Sequence, residues 1–519
     1  MSLLTQVRAN AAIARTNIDV LHRPDHLPVV LNALAVWGPG VAGAAASAAM
    51  RYPRAEAVVD ADGAVSYRRL WRGAGHLAAG LAAAGVGPGT VVGLLACNHR
   101  GFVEAVVAVA RTGADLVFLN TEFAAPQLAD VVAAEHIDVV LHDNQFGETV
   151  AGCGARLLLD QRAQAAMARG PGSLPARPPG RLVILTSGTT GRPKGAARES
   201  NNAALEGVAG VLSRIPYRVR DTQVIAAPLF HGWGLTNLLL GLGRASTTVL
   251  GGRFDAAATL RSVAGHRAQV LVVVPVMLQR ILALGPQALV AADTSQLRVI
   301  ASSGSALGPH LVTETLNRFG PVLYNLYGST EVAVATIAAP ADLRRAAGTA
   351  GRPVKGVRVE ILDELARPVA EGAAGRVFVG SAMRFDGYTG GGGKEQQHGL
   401  LSSGDIGHFE DGLLFVDGRE DDMIVSGGEN VFPLEVEELL AHHPAIAEVA
   451  VVGAPDADFG QALSAFVVPR PGSRLDGEEV RSYVREHLAR FKVPRTVRIL
   501  EQLPRTATGK VLKRELRSA

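Results

Sequence analysis

Ten consecutive residues, Thr186-Ser187-Gly188-Thr189-Thr190-Gly191-Arg192-Pro193-Lys194-Gly195, constrain this 519-residue chain more than any other stretch. They follow residues 181–185, whose apolar side chains read as a strand, and they concentrate hydroxyls, glycines and one lysine. Such a loop suits a triphosphate. The glycines let phosphate oxygens approach the backbone, the hydroxyls donate hydrogen bonds, and Lys194 adds a point charge. It is not a Walker A loop, because that pattern needs G-x-x-x-x-G-K-[S/T], whereas here Pro193 precedes the lysine and Gly195 follows it.

Short apolar runs alternate with Ala-rich stretches around it. Residues 57–59, 91–95, 137–141 and 157–159 read as strands and 70–84 as a helix, and largely apolar runs suit sheets covered on both faces. Single cores stop growing near ~250–300 residues, so a chain of this length is expected to divide. The predicted class is α/β. A large N-terminal domain, residues 1–420, is expected to hold two layered α/β subdomains and a small β-barrel region, with short strands at 357–362, 375–379 and 413–416. Residues 421–519 are expected to form a smaller, mobile α+β domain from a helix bearing Glu435, Glu437 and Glu438, an apolar run at 449–452 and a helix at 477–488. Between strands, residues 170–180 carry four prolines and three glycines and read as a linker or surface loop.

Composition narrows the partners. Lys plus Arg number 51 against 48 Asp plus Glu, so no strong field for nucleic acid or anionic lipid is expected. Cys97 and Cys153 stand outside any motif, which argues against a disulfide framework and fits a reducing cytoplasm. Residues 27–50 lack charge but are broken by Gly38-Pro39-Gly40, so no transmembrane span is expected; peripheral attachment at a membrane is the remaining option. A competing motif lies here: Gly38-Pro39-Gly40-Val41-Ala42-Gly43 fits G-x-G-x-x-G, with Asp60 at the spacing of a ribose-binding acid. Were it functional, the chain would be an NAD(P)-dependent oxidoreductase.

Six further motifs follow the phosphate loop: Pro228-Leu229-Phe230-His231-Gly232; Ser303-Gly304-Ser305-Ala306-Leu307; Tyr327-Gly328-Ser329-Thr330-Glu331; Ser403-Gly404-Asp405; Gly418-Arg419-Glu420-Asp421-Asp422; and Pro504-Arg505-Thr506-Ala507-Thr508-Gly509-Lys510. In this order, over residues 41–513, the chain resembles the adenylate-forming superfamily of acyl-CoA synthetases, aryl-CoA ligases, firefly luciferase and peptide-synthetase adenylation domains. The resemblance implies activation of a carboxylic acid to acyl-AMP and transfer to CoA, with ATP, Mg²⁺ and CoA as cofactors. It assigns Thr186, Ser187, Gly188, Thr189, Thr190 and Lys194 to the phosphates, and Gly304, Ser305, Ala306 and Tyr327 to adenine, with Gly328 and Ser329 beside them. Thr330 is implied at the α-phosphate, Glu331 at Mg²⁺, and Asp405 with Arg419 at the ribose. His231 is implied beside the acyl carbonyl and thiol, and Lys510 at the reacting carboxylate and α-phosphate. Asp421 matches the hinge about which similar enzymes rotate the small domain, presenting Gly427 and Gly428 to the pantetheine arm. Ser403 replaces the usual threonine, and the run Gly390–Gly393 has no assigned role.

Residues 226–253 contain no Asp or Glu, which argues against an α-amino acid substrate because a buried ammonium needs a counter-ion. Leu235, Leu238, Leu239, Leu240 and Leu242, with 272–276 and Met277, point to a medium- or long-chain fatty acid, and an aromatic acid is the second reading. Acyl carrier protein is the alternative acceptor to CoA.

Overall fold

The buried apolar runs settle the layering. The structure is a computed structural model describing residues 23–170, 172, 174–186, 194–198, 202–381, 387–426, 429–456, 460–506 and 509–517, and among them the strands form four sheets. The largest has nine strands, in the order Arg352–Pro353, Ala333–Ala338, Leu323–Ser329, Val299–Ser302, Val270–Val273, Thr222–Ile225, Thr247–Val249, Glu56–Asp60 and Gly63–Ser66. Its middle is parallel and its edges antiparallel. Val270–Val273 and Val299–Ser302 are buried along their whole length, as parallel strands covered on both faces should be.

A second sheet orders Leu157–Leu159, Val139–His142, Val91–Leu95, Asp115–Phe118, Leu182–Thr186 and Lys194–Arg198. Five of these run parallel, and Lys194–Arg198 returns antiparallel to Leu182–Thr186, with Thr186 opposite Lys194. The phosphate loop is therefore the connection of an edge hairpin. The β region expected as a small barrel is a five-stranded antiparallel sheet of Arg358–Leu362, Gly375–Gly380, Gln396–Gln397, Leu400–Glu410 and Leu413–Arg419.

The smaller C-terminal domain builds its own core. Helices Pro433–Ala441 and Gly477–His487 bury Val436, Leu440, Val480 and Val484 against Ile446, Val451, Leu463 and Val467 of its five-stranded sheet. We propose the short 3₁₀ turn Glu420–Asp422 as its boundary with the large domain. The last helix is tied to the rest of this domain and to that boundary: Lys513 pairs with Glu437 of the helix Pro433–Ala441 at 3.0 Å and Arg517 with Asp422 at 2.8 Å.

Two readings of the sequence are corrected by this architecture. The residues before Gly38 belong to the helix His26–Trp37 rather than a strand, and Gly38–Gly40 is the corner before the helix Val41–Arg51. No strand feeds the G-x-G-x-x-G run, and Asp60 is held by Arg100, so the dinucleotide reading fails. No helix among the described residues is long and apolar enough to cross a membrane. Second, the helix Gly232–Gly243 buries Leu235, Leu238, Leu240 and Leu242 in the main core beside Val272, Val273 and Met277, leaving Leu239 half-buried. Those side chains are packing, so they carry no information about an acyl chain. Leu238→Ala should cost ~2–5 kcal/mol, as for other fully buried leucines, and lower the thermal unfolding midpoint of the large domain. An unchanged midpoint would remove Leu238 from the core.

Candidate active site

The turn after Leu323–Ser329 sets the phosphate end of the site. This strand pairs with Ala333–Ala338, leaving Thr330 and Glu331 in the tight connection. Glu331 is buried, and its two oxygens accept from Tyr388 Oη at 2.8 Å and Ser329 Oγ at 2.9 Å. Burial opposes its ionisation, but these bonds and the positive charge of Lys394 outweigh it and hold the carboxyl below its usual range. The arrangement fits Mg²⁺. One fixed anionic oxygen donor is what that cation takes from protein when phosphates and waters complete its shell, and no described group of three His, Cys, Asp or Glu side chains offers a closed cage.

A second carboxylate comes from the five-stranded sheet. Asp405, buried on Leu400–Glu410, accepts from Tyr327 Oη at 2.5 Å and lies 3.4 Å from Arg419 Nη1. Burial and then the Asp405 charge push the Tyr327 phenol well above its ordinary range, so it stays a donor. Arg419 also donates from Nε to Asp421 at 3.1 Å, which links the predicted hinge to the predicted ribose site. Gly304, Ser305 and Ala306 follow the buried strand Val299–Ser302 and keep exposed surface at Ser305 and Ala306.

His231 caps the helix Gly232–Gly243, its Nδ1 accepting from Trp233 N at 3.5 Å. Trp233 is anchored by its indole N–H on Val273 O at 3.0 Å. Burial, and then the charge of Lys510, lower the His231 pKa to about 4, so it is neutral at physiological pH. Lys510 reaches this site from the small domain. It keeps solvent-accessible surface in the cleft, yet protein crowds its ammonium enough that desolvation, followed by the charge of Arg419, lowers its pKa against the pull of Glu331 and Asp405. The preceding Gly509 explains the close seating: a Cβ there would stand 2.3 Å from Val276 Cγ1 of the large domain, and its φ is +78°.

The structure thus brings Lys510, His231, Glu331, Asp405, Arg419 and Tyr327 within electrostatic or bonding reach of one cleft. Lys194 joins through Tyr388, its ammonium 5.3 Å from that ring. Ser187, Gly188, Thr189, Thr190, Gly427 and Gly428 lie outside the described residues, as does the side chain of Thr186. Several residues went unnoticed in the sequence. Glu135 accepts from Gly195 N at 3.0 Å and from Thr389 Oγ1 at 2.8 Å, pinning the glycine-rich 387–394 loop beside the phosphate loop. Asn98 braces the His231 motif, donating to Ala227 O and accepting from Leu229 N, each at 2.9 Å. Both act across more than fifty residues of sequence, and no local pattern marks such a partner.

Fold and cleft together define an enzyme that activates carboxylates by nucleotidyl transfer. The chain matches the family described as AMP-binding enzyme over residues 45–389 and its C-terminal domain over residues 435–510, and it belongs to that family, within the adenylate-forming superfamily. It is 35% identical over 475 residues to feruloyl-CoA synthase of an Amycolatopsis species, covering 90% of this chain and 96% of that protein. To the indoleacetate–CoA ligase of Aromatoleum aromaticum it is 34% identical over 478 residues, covering 87% and 92%. The solved o-succinylbenzoate CoA synthetase of Bacillus subtilis, in complex with its acyl-adenylate intermediate, superposes with a TM-score of 0.82 at 26% identity, covering 92% and 98%. The chain is an AMP-forming acid–thiol ligase using ATP, Mg²⁺ and CoA.

The neutral His231 has a measurable consequence. In an unfolded chain histidine takes its proton near pH 6.5, whereas His231 in the folded protein does so at about 4. Acidification through that window protonates the unfolded state first, so stability falls as pH drops from about 6.5 to about 4. Melting midpoints of wild type and His231→Gln should diverge over that window, with the wild type losing more; parallel profiles would show that His231 is not buried as the neutral base.

Proposed function

We propose that this chain activates an aryl or arylalkyl carboxylic acid and passes the acyl group to the thiol of CoA. The convergence of Lys510 on Glu331, Asp405 and His231 supports the activation step. Attack of a carboxylate on the α-phosphate brings two anions together, and Lys510 is the cation aimed at them, in a site crowded enough to strengthen its field. Glu331 would hold Mg²⁺, which would neutralise phosphate charge, while Ser329 and Tyr388 keep that carboxylate oriented. Thr330 contacts the α-phosphate from the same turn. The loop from Thr186 to Lys194 holds the remaining phosphates, Tyr327 with Gly304, Ser305 and Ala306 holds adenine, and Asp405 with Arg419 takes the ribose hydroxyls. For the second step, Asp421 serves as the pivot and Gly427 and Gly428 line the path of the pantetheine arm.

The aromatic assignment replaces the fatty-acid reading. The leucines that favoured an alkyl chain are core, and the relatives act, by their names, on feruloyl, indoleacetyl and o-succinylbenzoyl groups. The absence of Asp and Glu across 226–253 still argues against an α-amino acid. Acid-dependent exchange of pyrophosphate into ATP should appear across a panel of cinnamic, benzoic and arylacetic acids, with kcat/KM for the best of them at least about tenfold above any straight-chain acid. That ratio corresponds to about 1.4 kcal/mol of transition-state discrimination, well within what one fitted ring supplies. A kcat/KM climbing steadily with alkyl chain length would overturn the substrate class while leaving adenylation intact. Running the second step with CoA and with a holo acyl carrier protein checks the acceptor, CoA being the one expected to turn over.

A further inference from the structure

The run Gly390–Gly393 ends in Lys394, and the structure gives that lysine a place the motifs do not. The segment around it is fixed at its start: Thr389 N donates to Gly195 O at 2.9 Å, Thr389 Oγ1 donates to Glu135, and Tyr388 forms an isolated bridge with Ala196. These contacts lay the segment against the strand that leaves the phosphate loop. Tyr388 then spans the site, its ring near the Lys194 ammonium and its hydroxyl on Glu331. The glycines carry the chain over open space, since a Cβ on any of the four would meet nothing within 4 Å. At the far end the half-buried Lys394 turns inward. A Cβ built on Gly404 would lie 3.2 Å from Lys394 Nζ and 3.3 Å from Arg419 Nη2, so the two cations flank Gly404, next to Asp405.

Of these two cations, Arg419 is answered by Asp405 at 3.4 Å and Asp421 at 3.1 Å. Glu395, the adjacent carboxylate, is taken by Arg376. Lys394 pairs with no carboxylate among the described residues, and its field falls on Glu331. The half-buried ammonium stands beside a guanidinium with no carboxylate at bonding distance among the described residues, which leaves its donors available to an anionic ligand.

We propose that Lys394 is a phosphate-binding residue of the adenylation half-reaction, holding the β- and γ-phosphates of ATP and then the departing pyrophosphate. This rests on the adenylation reading above and extends it to a residue outside the shared motifs. In the step served, a carboxylate oxygen bonds to the α-phosphorus as the bond from that phosphorus to the β-phosphate oxygen breaks. The electron pair leaves on pyrophosphate, and no proton or oxidant is exchanged. Lys194 and Lys394 would grip the leaving group from two segments that Glu135 ties together, while Lys510 acts at the carboxylate.

The test separates phosphates from the rest of the nucleotide. Equilibrium binding of ATP, pyrophosphate and AMP is measured on the full chain for wild type, Lys394→Gln and Lys394→Arg, alongside acid-dependent pyrophosphate exchange. Lys394→Gln should weaken ATP and pyrophosphate by about tenfold, the loss of one charge-assisted bond, and leave AMP within about twofold. Lys394→Arg should recover most of the loss. Transfer from a supplied acyl-adenylate to CoA should be unchanged in both variants. Equal weakening of ATP and AMP, or no change in either, would overturn the assignment. Wild-type exchange serves as the control on the parent reading: its absence would bring down adenylation itself, whereas its presence with an unaffected Lys394→Gln would bring down only the role of Lys394.

Discussion

One lysine delivered from another domain is the interaction on which this site depends. Glu331, Asp405, Tyr327 and His231 all belong to the large domain and are set by its strands, a strand-to-strand turn and a helix start. They concentrate two carboxylates in a cleft that must receive a polyphosphate and a third carboxylate. Arg419 answers Asp405, and the reacting carboxylate and α-phosphate call for a further cation of their own. Lys510 supplies it, and the seating of Gly509 against Val276 lets the backbone come close enough to do so. A bulkier residue at 509 would hold the lysine off.

The same dependence makes the site divisible. Among the proposed nucleotide-binding residues only Lys510 belongs to the small domain, so on that proposal withdrawing this domain would remove one charge and leave the adenylate's other contacts in place. The proposed pivot lies at the boundary. Asp421 is exposed and its carboxylate is shared with Arg419, while Asp422 next to it is anchored by Arg517 of the small domain. A rotation beginning between these two residues would exchange a bond on the ribose side for freedom on the other. Gln279 also crosses between the domains, donating to Ala447 O at 2.9 Å.

Much of this was legible in the chain because chemistry with strict demands leaves short, dense patterns. The phosphate hairpin, the Thr330-Glu331 turn, Asp405, Arg419 and Lys510 each sit in a run where glycine, hydroxyl and charge recur within a few residues, and the structure gathers the described ones into one cleft. The acyl pocket is hidden for the opposite reason: an apolar helix facing a core and one facing a ligand share the same periodicity, so Leu235 to Leu242 are silent on which they are. The Gly38 corner imitated a nucleotide fold because a helix start and a dinucleotide turn use glycine alike. Glu135, Asn98 and Lys394 were hidden because their partners are set by tertiary packing.

Single-turnover kinetics of Lys510→Ala tests most directly whether this lysine serves one half-reaction alone. Adenylate formation from acid and ATP should fall by on the order of 10²–10³, the usual cost of removing one aimed charge from a transition state, while transfer from a supplied acyl-adenylate to CoA stays within a few fold of wild type. Comparable losses in both steps would contradict the claim that the small domain delivers its lysine for the first step and withdraws it for the second.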